Sequence, residues 1–398
     1  MIFELQSCLG KLKMSYQPFH VEIAKESLED LRERLRRTRW PDEVEFAEWD
    51  YGVPLEFMRD IVHYWITSFD WRAQEHYINS FRNYRIDLNG ISIHFVYERG
   101  QGPNPIPLLI THGWPSSFLE MLGIIPLLTT PEQFGGDPAD AFDVIIPSIP
   151  GYGFSDRPIQ RGFTYPDVAE LWLKLMDELG YTCFGAHAHD HGAAIMIRIN
   201  LSHPERIIGY HTTEPSIPSA NVTLESANLT NAERVFLDAR ARWEAKDNGY
   251  ARIQATRPQT VAYALNDSPA GLAAWILDKW FAWTAPPTGN LENHFSKDQL
   301  LSLVSLYWFS ETINATGRAY YEGTNNTRKL PPGFTIQVPV GVSLVATQPI
   351  ERPPREYVER RYRDIRYWAE LGRGGHFIAG EEPMLLAESI RSFFRLLR

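Results

Sequence analysis

Residues 186–194 read AHAHDHGAA: three histidines and one aspartate fall within five positions, and small residues close the run. Two chemistries fit it. His187, His189 and His191 could converge on a metal ion with Asp190 helping, or Asp190 could be the working group with the histidines packed around its turn. The flanks favour the second reading. "YTCFGAH" before the run is a short apolar strand, and "GAAIMIRINLSHPE" continues it as a helix. A nucleophile held up on the turn between such a strand and helix needs small residues on both sides, so that the two backbones can approach. Ala188-His189-Asp190-His191-Gly192 has that pattern, with aspartate in the central position.

A metal cage would need alternate residues of one strand to face a common ion, yet the chain must turn at Asp190 to enter the helix. The order His-x-His-x-Asp-His of the metallo-β-lactamases is similar but carries one more residue before the aspartate. Further histidines with ligand spacing are not evident downstream. Neither a metal nor another cofactor is therefore expected.

The neighbouring sequence extends the strand–helix rhythm in both directions. "IPLLITHG" (106–113) and "FDVIIPSIPG" (142–151) are near-continuous apolar runs, as strands buried on both faces of a parallel sheet require. "YPDVAELWLKLMDELG" is an amphipathic helix ending on Gly180, "RIIGYHTT" (206–213) is another strand, and "VPVGVSLVAT" (338–347) and "RYRDIRYWAEL" add two more. "GGHFIAGEEPMLLAESIRSFFRLL" closes with a helix. "RIDLNGISIHFVYERG" reads as a hairpin turning at "LNG". Upstream, Leu28, Leu31 and Leu35 share one face of a helical stretch that stops before Pro41. Residues 216–335 lose the alternation and are helix-like around "NDSPAGLAAWILDKWFAW". The expected division is an N-terminal helical extension (1–84), an α/β core in two parts (85–215 and 336–398), and a helical lid (216–335). The lid would roof the carboxyl edge of the sheet, where open α/β sheets bind ligands.

Composition narrows the function. A net charge of −10 and the lack of any Lys/Arg block argue against a nucleic-acid surface. With 44% hydrophobic residues the 398-residue chain can bury a large core. Two cysteines, Cys8 and Cys183, offer no disulfide framework, which fits a reducing compartment. The first 20 residues hold no signal-peptide core, and nowhere is there an apolar run long enough to span a bilayer. A cytoplasmic protein without a membrane anchor is expected. Asn228 and Asn314 head glycosylation-like triplets that then match by chance.

Taken with the elbow, further motifs give the chain a resemblance to the microsomal-type epoxide hydrolases of the α/β-hydrolase fold. "THGWPSS" (111–117) is similar to their oxyanion loop, and "GYGFSDRP" (151–158) to the following sheet-edge loop. The stretches 249–279 and "SLYWF" (305–309) resemble their cap, "RGGHFIAGEEP" (373–383) their catalytic-histidine loop, and "RRTRWPDE" their N-terminal domain. The likeness covers nearly the whole chain, although no membrane anchor like that of some members is expected. It implies that Asp190 attacks an epoxide carbon to give a glycol monoester. A carboxylate can do this without the general base that serine needs. Tyr250 and Tyr320 would then donate to the epoxide oxygen, with Tyr321 the alternative if the register slips by one. His376 would activate water, and the backbone N–H groups of Trp114 and His191 would hold the oxyanion.

Three departures leave questions open. The carboxylate that orients the histidine falls at Gln348 or Pro349 by counting, and neither is acidic. Glu351 lies just beyond, followed by Arg352; Glu214, 24 positions after Asp190, occupies the slot used by some haloalkane dehalogenases and is narrowly preferred. His189 and His191 stand where the family usually has glycine and often tryptophan, and a histidine cation there would blunt the nucleophile. The expected partner is a small-molecule epoxide, bulky and apolar, with a homodimer left open. An epoxide-opening cyclase that uses no water, a catalytically degenerate binding protein, and a dehalogenase are the competing readings.

Overall fold

The computed structural model describes residues 15–215, 228–284, 290–325, 328–346 and 352–398. Among these residues nine strands form one sheet: β1 (Tyr16–Pro18), β2 (Asn83–Leu88), β3 (Ile91–Glu98), β4 (Ile106–Thr111), β5 (Phe142–Pro147), β6 (Phe184–Ala188), β7 (Ile207–Thr212), β8 (Ile336–Leu344) and β9 (Tyr362–Glu370). Their order is β1-β2-β3-β5-β4-β6-β7-β8-β9, antiparallel from β1 to the β3/β5 pair and parallel from there on.

The α/β-hydrolase fold expected from the motifs is present. Central strands are apolar on both faces because helices cover both; every residue of β5 is buried. The hairpin between β2 and β3 turns at Asn89 and Gly90, both with left-handed backbones (φ 58° and 79°), as a two-residue type I′ turn requires. Gly180, with φ 84°, follows the helix Tyr165–Glu178, where an ordinary side chain would be strained. The N-terminal stretch is not wholly helical. Tyr16–Pro18 pairs with β2 as an edge strand, a segment too short to show the alternation by which strands are recognised.

Among the described residues between β7 and β8 lie six longer helices: Asn231–Lys246, Gly249–Thr256, Pro258–Leu265, Pro269–Trp283, Lys297–Ser310 and Ile313–Asn325. Capping boxes at Thr230/Glu233 and Ser296/Gln299 fix two of their starts. Helix Leu55–Thr67 packs on the fifth of them, where the Trp65 indole N–H donates to the Ser305 hydroxyl at 3.1 Å in the buried core. Trp71, opening helix Trp71–Asn79, meets the Phe309 ring at 5.0 Å. Among the described residues no helix is long and apolar enough to cross a membrane.

Register places the functional loops. Thr111, Ala188, Thr212, Val342 and Trp368 are successive neighbours across β4, β6, β7, β8 and β9. The segments carrying Trp114, Asp190, Glu214 and His376 therefore all leave the same edge of the sheet, next to one another.

Candidate active site

Asp190 opens helix Asp190–Ser202 directly after β6, with φ of 50°, a left-handed conformation that costs a non-glycine residue energy. The close approach of strand and helix is paid in small residues: a Cβ on Gly192 would lie 2.3 Å from the Thr111 carbonyl oxygen, and one on Gly113 2.4 Å from the Asp190 Oδ1. The Trp114 N–H donates to that Oδ1 at 2.8 Å, and the His191 N–H also turns toward the carboxylate. Burial would push the carboxyl up, but the His191 and His376 rings and these two amides outweigh it and hold it below its ordinary range. Asp190 is thus a charged, partly buried carboxylate.

His376 lies in the loop after β9, its backbone N–H donating to the Trp283 carbonyl at 3.0 Å. Its Nε2 sits 4.0 Å from Asp190 Oδ2, and its Nδ1 3.8 Å from Glu214 Oε2. Burial lowers the imidazole and outweighs the nearby Asp190 charge, so the ring is neutral at neutral pH. Glu214 also accepts the Asp190 N–H, at 3.2 Å. Its carboxyl is pushed up by burial and then by the Asp190 charge. Of the two acids considered beside His376, Glu214 is brought to it; Glu351 and Gln348 lie outside the described residues.

Aromatic rings enclose this group. Trp114 stacks on Tyr250 with centroids 4.9 Å apart and meets Tyr320 at 5.6 Å, while Trp283 touches Tyr250 at 5.3 Å and His376 at 5.0 Å. Tyr320 contacts the His191 ring at 4.8 Å. Tyr250 is carried on helix Gly249–Thr256 and Tyr320 on helix Ile313–Asn325, which pack against each other. Both phenols are raised well above the usual range, chiefly by burial, and remain proton donors. Tyr321, the alternative register, is exposed.

The three histidines of the opening motif diverge. His187 Nδ1 faces His211 Nδ1 at 2.9 Å, His189 Nε2 lies 3.7 Å from Glu120 Oε2, and His191 Nε2 lies 3.8 Å from Asp190 Oδ1. The group with ligand atoms near one another among the described residues is instead Asp190, Glu214 and His376, within 4.8 Å. Its histidine is already flanked by two carboxylates, the arrangement of a base with its orienting acid.

Glu120, buried beside His189, is a residue the motifs did not single out. It stands six positions after Trp114 in "THGWPSSFLE", an acid in an apolar helical run, and that lone mismatch is the signal that would have found it.

Comparison with known proteins agrees with the fold. Residues 16–121 match the family model described as epoxide hydrolase N terminus, and residues 106–281 the one described as alpha/beta hydrolase fold. A Stigmatella aurantiaca protein provisionally named an epoxide hydrolase is 41% identical over 381 residues, covering 96% of this chain and 85% of that relative. Epoxide hydrolase 1 of Sus scrofa is 34% identical over 406 residues, covering 96% and 89%. The crystal structure of the juvenile hormone epoxide hydrolase of the silkworm Bombyx mori superposes with a TM-score of 0.87 at 29% identity, covering 97% of this chain and 96% of the other.

Proposed function

The chain belongs to the epoxide hydrolases of the α/β-hydrolase fold, and from that membership we propose that Asp190 opens the epoxide by forming an ester that His376 then hydrolyses. One observation carries the proposal: an ionised carboxylate on a strained turn, held by the Trp114 amide, with a neutral imidazole nitrogen 4.0 Å away.

Asp190 attacks an epoxide carbon from the side opposite its oxygen. A new C–O ester bond forms, the strained C–O bond breaks, and the oxygen leaves as an alkoxide. Tyr250 and Tyr320 donate hydrogen bonds to that oxygen as its charge develops, and one of them gives up its proton to the alkoxide. His376 next takes a proton from water, which adds to the ester carbonyl carbon. The carbonyl oxygen becomes the oxyanion and is held by the amides of Trp114 and His191. Collapse expels the glycol oxygen, which takes the proton from His376; the second water proton, left on the Asp190 carboxyl, returns to the phenol that protonated the alkoxide, and Asp190 regains its charge.

Esterification itself prepares the second half. While Asp190 is charged it helps keep Glu214 protonated, since like charges oppose each other. Once the ester forms, that repulsion disappears and Glu214 ionises more readily, just when His376 must carry a proton. The lost charge also ceases to raise the His376 imidazole, which therefore stays neutral until it meets water.

The ring-lined enclosure of Trp114, Trp283, Tyr250 and Tyr320 supports a bulky apolar epoxide as substrate, with residues 216–335 acting as the lid over it. Few cysteines support a reducing compartment such as the cytoplasm.

Acid quenching within the first turnover on styrene oxide tests the reading. The expected result is a protein heavier by one substrate, with the adduct on the peptide containing Asp190; no adduct in the native enzyme, or one still formed by Asp190→Asn, overturns it.

A further inference from the structure

A second group of buried polar side chains adjoins His376 without belonging to the reacting set. His189 is 2% exposed, its ring lies edge-on to that of His376 with centroids 5.5 Å apart, and neither of its nitrogens makes a hydrogen bond. Glu120 Oε2 takes the Ser116 hydroxyl and lies 3.7 Å from His189 Nε2, while Glu120 Oε1 and His376 Nε2 are likewise unpartnered. Four buried polar atoms without partners, strung over one carboxyl and two rings, are costly unless small polar molecules bridge them. A separation of 3.7 Å between two such groups is beyond a direct bond but suits a shared water.

Glu120 also lines a cavity of about 150 Å³, together with Leu119, Gly123, Trp280, Ser302 and Gly380. That is room for roughly five waters, at about 30 Å³ each. Neither Asp190, Tyr250 nor Tyr320 lines it, and Gly123 is exposed. The cavity thus leads from the surface to Glu120 without passing the aromatic enclosure around Asp190.

We propose that this cavity, Glu120 and His189 form a water port: water taken up beside Gly123 is handed by Glu120 and His189 to His376, separately from the path of the epoxide. The proposal rests on the two-step reading above, in which each turnover consumes one water while the glycol ester fills the aromatic enclosure. Glu120 and His189 are then positioning residues for the hydrolytic water. Both suit the passage of neutral water, because neither is charged at neutral pH. Burial pushes the Glu120 carboxyl up to about 8 against the pull of Ser116, and burial with the nearby His376 lowers His189 to about 3. The family resemblance places glycine where His189 stands, so the His189 station belongs to this chain's own sequence.

The experiment separates the two half-reactions by rapid mixing with styrene oxide, following ester formation and ester loss by quenched mass spectrometry. Gly123→Met, whose new side chain has at least 4.0 Å of clearance at its Cβ, obstructs the cavity without touching a reacting group. Glu120→Leu breaks the file itself. Both variants are expected to form ester within about 2-fold of the native rate and to hydrolyse it about 10-fold more slowly, since misplacing a reacting group by 1 Å can cost about 100-fold. Glu120→Gln, which keeps the hydrogen bonding of a protonated acid, is expected to restore hydrolysis to within about 3-fold of native. The port is overturned if Gly123→Met hydrolyses the ester at the native rate, or if both half-reactions fall together. Failure of the underlying reading is distinct: no ester then forms in any variant or in the native enzyme.

Discussion

At Asp190 the competing influences on one carboxyl decide the chemistry. Burial disfavours its charged form, but the Trp114 and His191 amides and the His191 and His376 rings outweigh that and hold it below its ordinary range. Glu214 is the complementary case, a carboxyl pushed up to about 7 by burial and then by the Asp190 charge, so that neutralising Asp190 favours its ionisation. Replacing Glu214 with glutamine preserves an acceptor for the Asp190 N–H but removes the negative charge that steadies the His376 cation. Ester hydrolysis is expected to slow by about 100-fold, the lower end of what general-base catalysis contributes, with ester formation nearly unchanged, as stopped-flow measurement would reveal. A comparable loss in both steps would mean that Glu214 only shapes the turn. The acid limb of native ester hydrolysis is expected below the ordinary histidine pKa of about 6.5, because burial outweighs even the Asp190 charge at His376 and that charge is gone in the ester, the Glu214 carboxylate 3.8 Å away offsetting part of the shift. The residue types and flanks around Asp190, His376 and Trp114 made them legible in the sequence. Glu120 and the partner of His376 were harder to find, because burial and sheet-edge register decide which acid faces which ring, and neither has a local pattern.

The elbow illustrates how much one element depends on missing side chains. Gly113 and Gly192 let β4, β6 and helix Asp190–Ser202 approach closely, with Gly113 directly against the Asp190 carboxylate. Gly113→Ala forces its methyl group into Asp190 Oδ1, which must move off the Trp114 amide. The expected outcome is a folded enzyme by circular dichroism with ester formation reduced about 100-fold or more, the scale set by a 1 Å misplacement; native rates would show that the close approach is dispensable. At this scale the sequence was informative wherever a pattern is periodic. The long apolar strands, the Asn89-Gly90 hairpin and the helix capped at Gly180 stand where their residues indicate. β1 escaped because three residues show no period and its pairing partner, β2, begins 65 residues after it ends.

Across the whole molecule, the N-terminal helices brace the helices between β7 and β8. Trp65, 2% exposed, ties helix Leu55–Thr67 to helix Lys297–Ser310 through Ser305. Trp65→Ala is expected to cost about 3–5 kcal/mol in urea unfolding, the usual price of deleting a buried aromatic ring. Limited proteolysis should then cut first within residues 231–325, and cleavage confined to the sheet would contradict the bracing role. No single stretch of sequence announces such a contact, because its two halves lie 240 positions apart. What the sequence did carry at this scale was the interruption itself, the loss of strand–helix alternation between β7 and β8.

The most direct test of the account is a single turnover in ¹⁸O-water with enzyme in excess over epoxide. Attack by Asp190 followed by hydrolysis at its carbonyl carbon puts the label into the Asp190 carboxylate and leaves the first diol unlabelled. Label in that first diol, with none in Asp190, would show water striking the epoxide directly and would contradict the alkyl-enzyme route.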